Sequence, residues 1–278
     1  MRTPRKPDLE FIEAAMTTEL GEGPVAAAAA YHLKAGGGRI RAMLALEAGV
    51  GLTVDRSSVV ACACAAELLH NASLIHDDVQ EQDRSRRGRP ALWREFDVAT
   101  AICAGDLMIS AAYASLAGHP SAGSALKLMH EAVSLTARGQ SEDMTGEIRT
   151  LSQYHDLVAA KTAPLLALPV RLVLCAAGTA DDRTAVDASR HLAVAYQALD
   201  DLNDRDADRA EGRVNLCTLF EARGASPSDA AQMAREEAMS ALGRARTVAL
   251  QTPRDAGRAF LNLADRLDSA LTEFSHAA

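Results

Sequence analysis

Two short segments of this sequence concentrate carboxylates at helical spacing. The first holds Asp77, Asp78 and Glu81; the second holds Asp200, Asp201 and Asp204 in the same Asp-Asp-x-x-acid arrangement. On a helix, residues three and four apart are neighbours on one side, and like charges there repel. Both segments also extend from apolar helix, after Leu74-Ile75 and Ala198-Leu199, and carboxylates clustered beside apolar surface need compensation. A hard divalent cation supplies it: magnesium takes oxygen ligands from carboxylates, water and phosphates in octahedral geometry. Two such faces set opposite each other would form a mouth that binds several metal ions, with a diphosphate bridging them. For either cluster taken alone, a solvated acidic helix end is the better reading. The recurrence of one spacing in two distant segments favours a shared site.

A basic counterpart lies close by. Arg84, Arg86, Arg87 and Arg89 follow the first acidic segment, and Arg39 and Arg41 follow Gly36-Gly37-Gly38. Arginine suits bidentate contact with phosphate oxygens. Salt bridges to the neighbouring carboxylates are an alternative use of the same charges, and Arg84 and Arg89 read better as members of a solvated loop. Lys161-Thr162 sits in a helical stretch with apolar flanks, where a lysine normally needs an anionic partner.

The elements that must position these groups read as helices. The 278 residues are rich in Ala, Leu, Arg and Glu and contain only 9 Pro, a composition of good helix formers. Alternating β-branched runs are absent, so no sheet is expected. Phe260, Leu263, Leu267 and Leu271 fall on one helical face, and Ser226-Pro227 reads as an N-cap followed by proline at the first helical position. Breaks are expected at Gly36–Gly38, Gly88–Pro90, Gly118–Ser121, Gly178–Asp182 and Thr252-Pro253. None resembles a linker, so one domain over 1–278 is expected. A net charge of -8 argues against a general nucleic-acid binder. No apolar run is read as a membrane span. Arg2, Arg5 and Lys6 are followed by acidic residues rather than an apolar signal core, which makes a cytoplasmic location the expectation. The 5 cysteines form no paired metal-ligand pattern and read as buried free thiols.

The motifs together resemble those of the trans-prenyltransferases, the polyprenyl (isoprenyl) diphosphate synthases, from about Gly36 to Asn215. Gly36-Gly37-Gly38-Arg39-Ile40-Arg41 resembles the family's Gly-Gly-Lys-Arg-x-Arg. Leu69 to Asp78 resembles the helix entering its first aspartate-rich motif, and Arg86-Arg87-Gly88-Arg89-Pro90 its Arg-Arg-Gly-x-Pro. Ala104-Gly105-Asp106, Gly139-Gln140 with Asp143, Lys161-Thr162, and Gln197 with Asp200-Asp201-x-x-Asp204 follow in the family's order.

The resemblance implies an all-α fold: an isoprenoid-synthase-type antiparallel helix bundle around a central cavity, usually a homodimer. It implies that Asp77, Asp78 and Asp200, supported by Asp201 and Asp204, hold three magnesium ions on an allylic prenyl diphosphate, with Glu81 at a peripheral carboxylate position. Arg86 and Lys161 would neutralise the leaving diphosphate. Thr162 and Gln197 would face the allylic cation. Arg41, His70 and Arg87 would hold the diphosphate of isopentenyl diphosphate.

Three departures bear on that expectation. Gly38 stands where the family has a lysine, and losing a charge-assisted hydrogen bond costs about 1.5–3 kcal/mol. Glu81 replaces an aspartate, and Arg213 replaces a lysine, keeping the charge but not the geometry. These changes thin the condensing half of the site more than the ionising half. Two further readings therefore stay open: a terpene synthase on the same scaffold, and a non-catalytic partner subunit. In the family this sequence resembles, product length is set by bulk just upstream of the first motif; with small residues at Ala72 and Ser73, Leu69 and Ala66 deeper, and Met108 and Tyr113 on another helix, the resemblance implies a product longer than fifteen carbons, with twenty expected: geranylgeranyl diphosphate.

Overall fold

The computed structural model describes residues 6–145, 148–213 and 215–277; Arg2 and Arg5 lie outside that range. By packing, the chain falls into two compact units. One comprises Met1–His130 and Leu168–Ala180, the other Glu131–Ala167 and Asp181–Ala278.

The first unit contains α1 (Lys6–Leu20), α2 (Pro24–Lys34), α3 (Ile40–Leu52), α4 (Arg56–Gln80), a hairpin of β1 (Ser85–Arg86) and β2 (Arg89–Pro90), α5 (Leu92–Glu95) and α6 (Val98–Ala114). It also takes in the start of α7 (Ala122–Thr145) and the end of α9 (Ala163–Ala176). Its axis is α4. Asp55 caps that helix by accepting the Ser58 amide at 2.9 Å, and no Gly or Pro interrupts the run that follows. By length and composition α4 could cross a membrane, which corrects the expectation that no apolar run is long enough. Here it serves as a core helix: 78% of its most apolar window is buried inside the protein, packed by α3, α6 and α1.

The hairpin is the other correction, since no sheet was expected. It escapes detection because each strand has two residues, too few for an alternating pattern. Ser85 pairs with Pro90 and Arg86 with Arg89.

The second unit contains the rest of α7, α8 (Leu151–Lys161), the start of α9, α10 (Arg183–Glu211), α11 (Leu216–Glu221), α12 (Pro227–Ala249), a single 3-10 turn (Pro253–Asp255) and α13 (Arg258–Ala277). Ser226 caps α12 as expected, accepting the Asp229 amide at 3.2 Å. Phe260, Leu263, Leu267 and Leu271 of α13 are all buried. Helix α10 packs against α12, α13, α8 and α11 and ends on Gly212 in the left-handed region, where glycine carries no Cβ penalty.

All five expected breaks coincide with helix ends or the hairpin. The stops at Leu20 and Leu52 were not foreseen, nor was the break at Thr162, which ends α8 at Lys161 where a continuous helix was expected. The cysteines are free; Cys62, Cys64 and Cys217 are buried, and burial pushes the Cys64 and Cys217 thiols up to about 11. Cys103 departs from the expectation and is exposed.

Candidate functional site

In the first unit, the end of α4 delivers the first acidic segment. Asp77 is half-buried and Glu81, at the C-cap of α4, is exposed. Asp78 differs from both: it is 1% exposed and its Oδ1 accepts from Arg86 Nε at 2.8 Å and also from Nη2. Burial raises the Asp78 carboxyl, against the pull of Arg86. Burial opposes the Arg86 charge too, but the bond to Asp78 and its charge outweigh it and raise Arg86. The two side chains form a salt bridge.

Arg86 and Arg87 reach their places through the hairpin. Arg87 (φ 52) and Gly88 (φ 74) are the two residues of its turn, both left-handed, as a two-residue type I′ turn demands. The Arg87 guanidinium lies across the triple-glycine segment: it donates to the Gly36 carbonyl, and a Cβ on Gly37 would stand 2.6 Å from Arg87 Cζ. Gly36 and Gly37 also have positive φ. Gly38 has neither constraint, since its Cβ would meet Ile40 Cγ1 at an ordinary 3.5 Å.

Next to this segment, Arg41 Nη1 donates to His70 Nε2 at 3.1 Å. Arginine has no acceptor, so that nitrogen is unprotonated. His70 is held well below the ordinary histidine range by burial, then by the charges of Arg41 and Arg87. Helix α3, which carries Arg41, has no side-chain cap of its own; the buried Glu67 of α4 accepts the Ala42 amide at 3.0 Å instead. Arg39 has a structural use, donating to Glu13 at 2.9 Å and to the Leu33 and Gly36 carbonyls at 3.0 and 3.2 Å. Buried His32, which carried no motif signal, lies near the same arginines; burial, then Arg87 and Arg86, lower it to about 4. Arg89 is not the solvated loop residue expected: its guanidinium stacks 4.1 Å over the Tyr31 ring.

In the second unit, α10 carries Asp200 half-buried, Asp204 exposed and Asp201 only 2% exposed. Asp201 Oδ1 accepts Gln197 Nε2 at 2.9 Å; its Oδ2 accepts Tyr154 Oη at 2.8 Å and the Leu216 amide at 2.7 Å. Burial pushes Asp201 up to about 6 despite those three donors. The Tyr154 phenol is raised well above its usual range by burial and by Asp201. Asn215 donates to the Asp201 carbonyl at 2.9 Å and to Asp208 at 2.8 Å. Lys161 Nζ donates to Asp143 at 2.6 Å, the anionic partner its surroundings require. Gly139 makes this approach possible: a Cβ there would stand 2.5 Å from the Lys161 backbone nitrogen. Thr162 is half-buried at the C-cap of α8, and Arg213 is exposed just past Gly212.

Spacing alone does not distinguish the two adjacent aspartates of each motif, and the structure separates them. Asp78 and Asp201 turn inward onto protein donors, while Asp77 and Asp200 remain partly accessible. Among the described residues, no three His, Cys, Asp or Glu side chains group into a metal cage. Partly accessible carboxylates nevertheless fit magnesium, which uses one or two carboxylates plus phosphate oxygens and water rather than an all-protein cage. Tyr154 and Asn215 were missed because their partners lie 47 and 14 residues from them in sequence, beyond any local pattern.

Residues 23–218 match the sequence model of a family described as polyprenyl synthetase. The chain belongs to the polyprenyl synthetase family. Among its relatives, a (2E,6E)-farnesyl diphosphate synthase of Mycobacterium bovis is 36% identical over 60% of the chain and 48% of its own length. The match thus spans about half of that relative. The octaprenyl diphosphate synthase of Haemophilus influenzae is 28% identical over 81% of the chain and 74% of its own. Among solved structures, a geranylgeranyl pyrophosphate synthetase from Geoglobus acetivorans superposes with a TM-score of 0.85, covering 94% of this chain and 98% of that one at 24% identity. The fold is the isoprenoid-synthase helix bundle.

Proposed function

We propose that this chain is a magnesium-dependent prenyltransferase that condenses an allylic prenyl diphosphate with isopentenyl diphosphate to a longer trans-prenyl diphosphate. The observation that carries the reading is the anion subsite of the first unit. Arg41 donates to a neutral His70, and Arg87 is laid across Gly36-Gly37 from a hairpin shaped to put it there. An enzyme that only ionises and cyclises one substrate has no use for a second diphosphate site, so these residues favour condensation over a terpene synthase.

In this reading Asp77 and Glu81, and Asp200 and Asp204, supply carboxylate oxygens to magnesium ions, three being the expected number. Asp78 and Asp201 hold Arg86, Gln197 and Tyr154 in place. The metal, when bound, stabilises charge on the departing diphosphate. Arg86 and Lys161 add fixed cations where negative charge develops, already oriented by Asp78 and Asp143. Thr162 and Gln197 present dipoles to the allylic cation, and Arg213 supplies a further charge for the diphosphate. The alkene of isopentenyl diphosphate, held by Arg41, His70 and Arg87, attacks that cation. A proton is then lost, with the leaving diphosphate as the base.

The proposed product is geranylgeranyl diphosphate, supported by the absence of an aromatic side chain at Ala66, Leu69, Ala72 and Ser73. We place the protein in the cytoplasm as a single-domain homodimer. The test is incubation with magnesium and an allylic diphosphate, with and without isopentenyl diphosphate. Longer diphosphates that form only when both are present are expected. Hydrocarbon or alcohol formed without isopentenyl diphosphate would support the terpene synthase; no turnover in either tube, with metal-dependent diphosphate binding also absent, would favour the partner subunit.

A further inference from the structure

The hairpin that carries Arg86 and Arg87 has two residues per strand, too small to hold its own shape in water. Its turn is strained as well, because Arg87 occupies the left-handed region at φ 52. Groups outside the hairpin must therefore hold it. Its base is closed by the Ala91 amide on the Arg84 carbonyl at 3.0 Å and by Trp93 Nε1 on the Asp83 carbonyl at 2.7 Å. Its outer strand is gripped by a single side chain of α2. Tyr31 donates its hydroxyl to the Pro90 carbonyl at 3.0 Å, and its ring lies 4.1 Å beneath the Arg89 guanidinium. The same ring meets Phe96 edge-on, with centroids 5.7 Å apart.

Helix α2 also leads directly into Gly36-Gly37, the segment on which the Arg87 guanidinium rests. One helix thus holds the hairpin at two points, β2 through Tyr31 and the turn through the glycine backbone. Arg86 pairs with Arg89 across the strands, so movement of β2 carries the turn and Arg87 with it.

We propose that Tyr31 is a positioning residue, a latch that sets the hairpin turn so that Arg87 is aimed at the diphosphate of isopentenyl diphosphate, while Arg86 keeps its own anchor on Asp78; this rests on the diphosphate reading of the site above. Arg89 takes part through its stack on the ring and does not contact substrate.

The test is titration of the full chain with inorganic pyrophosphate by calorimetry, without metal. The variants are Tyr31→Leu, Tyr31→Phe, Arg89→Leu, the double Tyr31→Leu/Arg89→Leu, and Arg87→Ala as a control, each with a thermal melt. Tyr31→Leu is expected to raise the pyrophosphate Kd, and the KM for isopentenyl diphosphate, about five- to tenfold, the loss of one cation–π contact and one hydrogen bond. Little change is expected in kcat or melting point. Tyr31→Phe, which keeps the stack, should fall between, and the double variant should be no worse than Tyr31→Leu. The latch is overturned if wild type binds pyrophosphate, Arg87→Ala weakens it, and Tyr31→Leu binds as wild type. Multiplied losses in the double variant, or a loss that tracks the melting point, overturn it too. Absence of pyrophosphate binding in wild type, with Arg87→Ala no different, removes the diphosphate reading and the latch with it.

Discussion

The Tyr154 hydroxyl donates to Asp201 Oδ2 at 2.8 Å inside the second unit, where both residues are buried. With Gln197 and the Leu216 amide it occupies both oxygens of a carboxylate that the motif alone assigns to metal. The two aspartates of α10 should therefore fail differently. Asp201→Ala strands three donors, two of them buried, and is expected to cost about 3 kcal/mol, lowering the melting point by roughly 5–10 °C. Asp200→Ala should melt within about 2 °C of wild type while losing prenyl transfer by about a hundredfold or more. Paired melts and initial rates separate the two; similar melting points for both variants would show that Asp201 is not the anchor.

Removing only the phenol oxygen is a gentler probe. Tyr154→Phe leaves Asp201 Oδ2 with the Leu216 amide, so a loss of about 1 kcal/mol is expected. Urea unfolding reads it as a lower midpoint at unchanged slope.

Gly139 lets α7 touch the backbone of α8 at Lys161. In Gly139→Ala the obstacle is backbone, which a rotamer change does not relieve, so the helices must part. A cost of about 1–3 kcal/mol is expected, together with lower activity as Lys161 leaves Asp143. Gly123→Ala on the same helix, where a Cβ meets nothing within 4 Å, is the control and should be neutral or slightly stabilising. Equal behaviour of the two variants would contradict the close-approach account.

His32 predicts an acid-side loss of stability. Its folded value, lowered to about 4 from 6.5 by burial and then by Arg87 and Arg86, means that the unfolded chain binds the extra proton between those values. Stability from keeping His32 neutral is full above pH 6.5, falls as pH drops below it, and is gone near pH 4. The total is on the order of 3 kcal/mol. Between pH 7 and pH 4 the denaturant midpoint of wild type should fall more steeply than that of His32→Gln; parallel curves would remove His32 as the cause.

Gly38 is open to substitution, unlike Gly36 and Gly37. Gly38→Lys should fold normally. By restoring a charge-assisted contact of about 1.5–3 kcal/mol, it should lower the KM for isopentenyl diphosphate by roughly tenfold or more. An unchanged KM would mean that Arg41, His70 and Arg87 already saturate the subsite.

Much of the fold was readable because helix signals are local. The Ser226 cap, the apolar stripe of Phe260, Leu263, Leu267 and Leu271, and the glycine and proline breaks each depend on residues within a turn or two. The hairpin was not readable: two residues per strand leave no period, and the groups it contacts, Tyr31, Trp93 and Asp78 among them, lie outside its own pattern. In the site, residue types and spacing marked both acidic segments and the cations near them. They could not rank the aspartates within a motif, because adjacent residues on a helix differ by which way they face, and only the packing decides that.

By itself the sequence determined that carboxylates, arginines and a lysine occur in the order and spacing of a polyprenyl synthetase, on helices long enough to carry them. Only the tertiary structure decided what each does within its unit. Asp201 turns onto Tyr154, Asp78 onto Arg86 and Lys161 onto Asp143, while Arg87 is laid over glycine rather than left in a loop. The reason is physical: a charged group's role follows from its burial and from which donors or acceptors reach it. Those partners come from segments that local spacing does not connect.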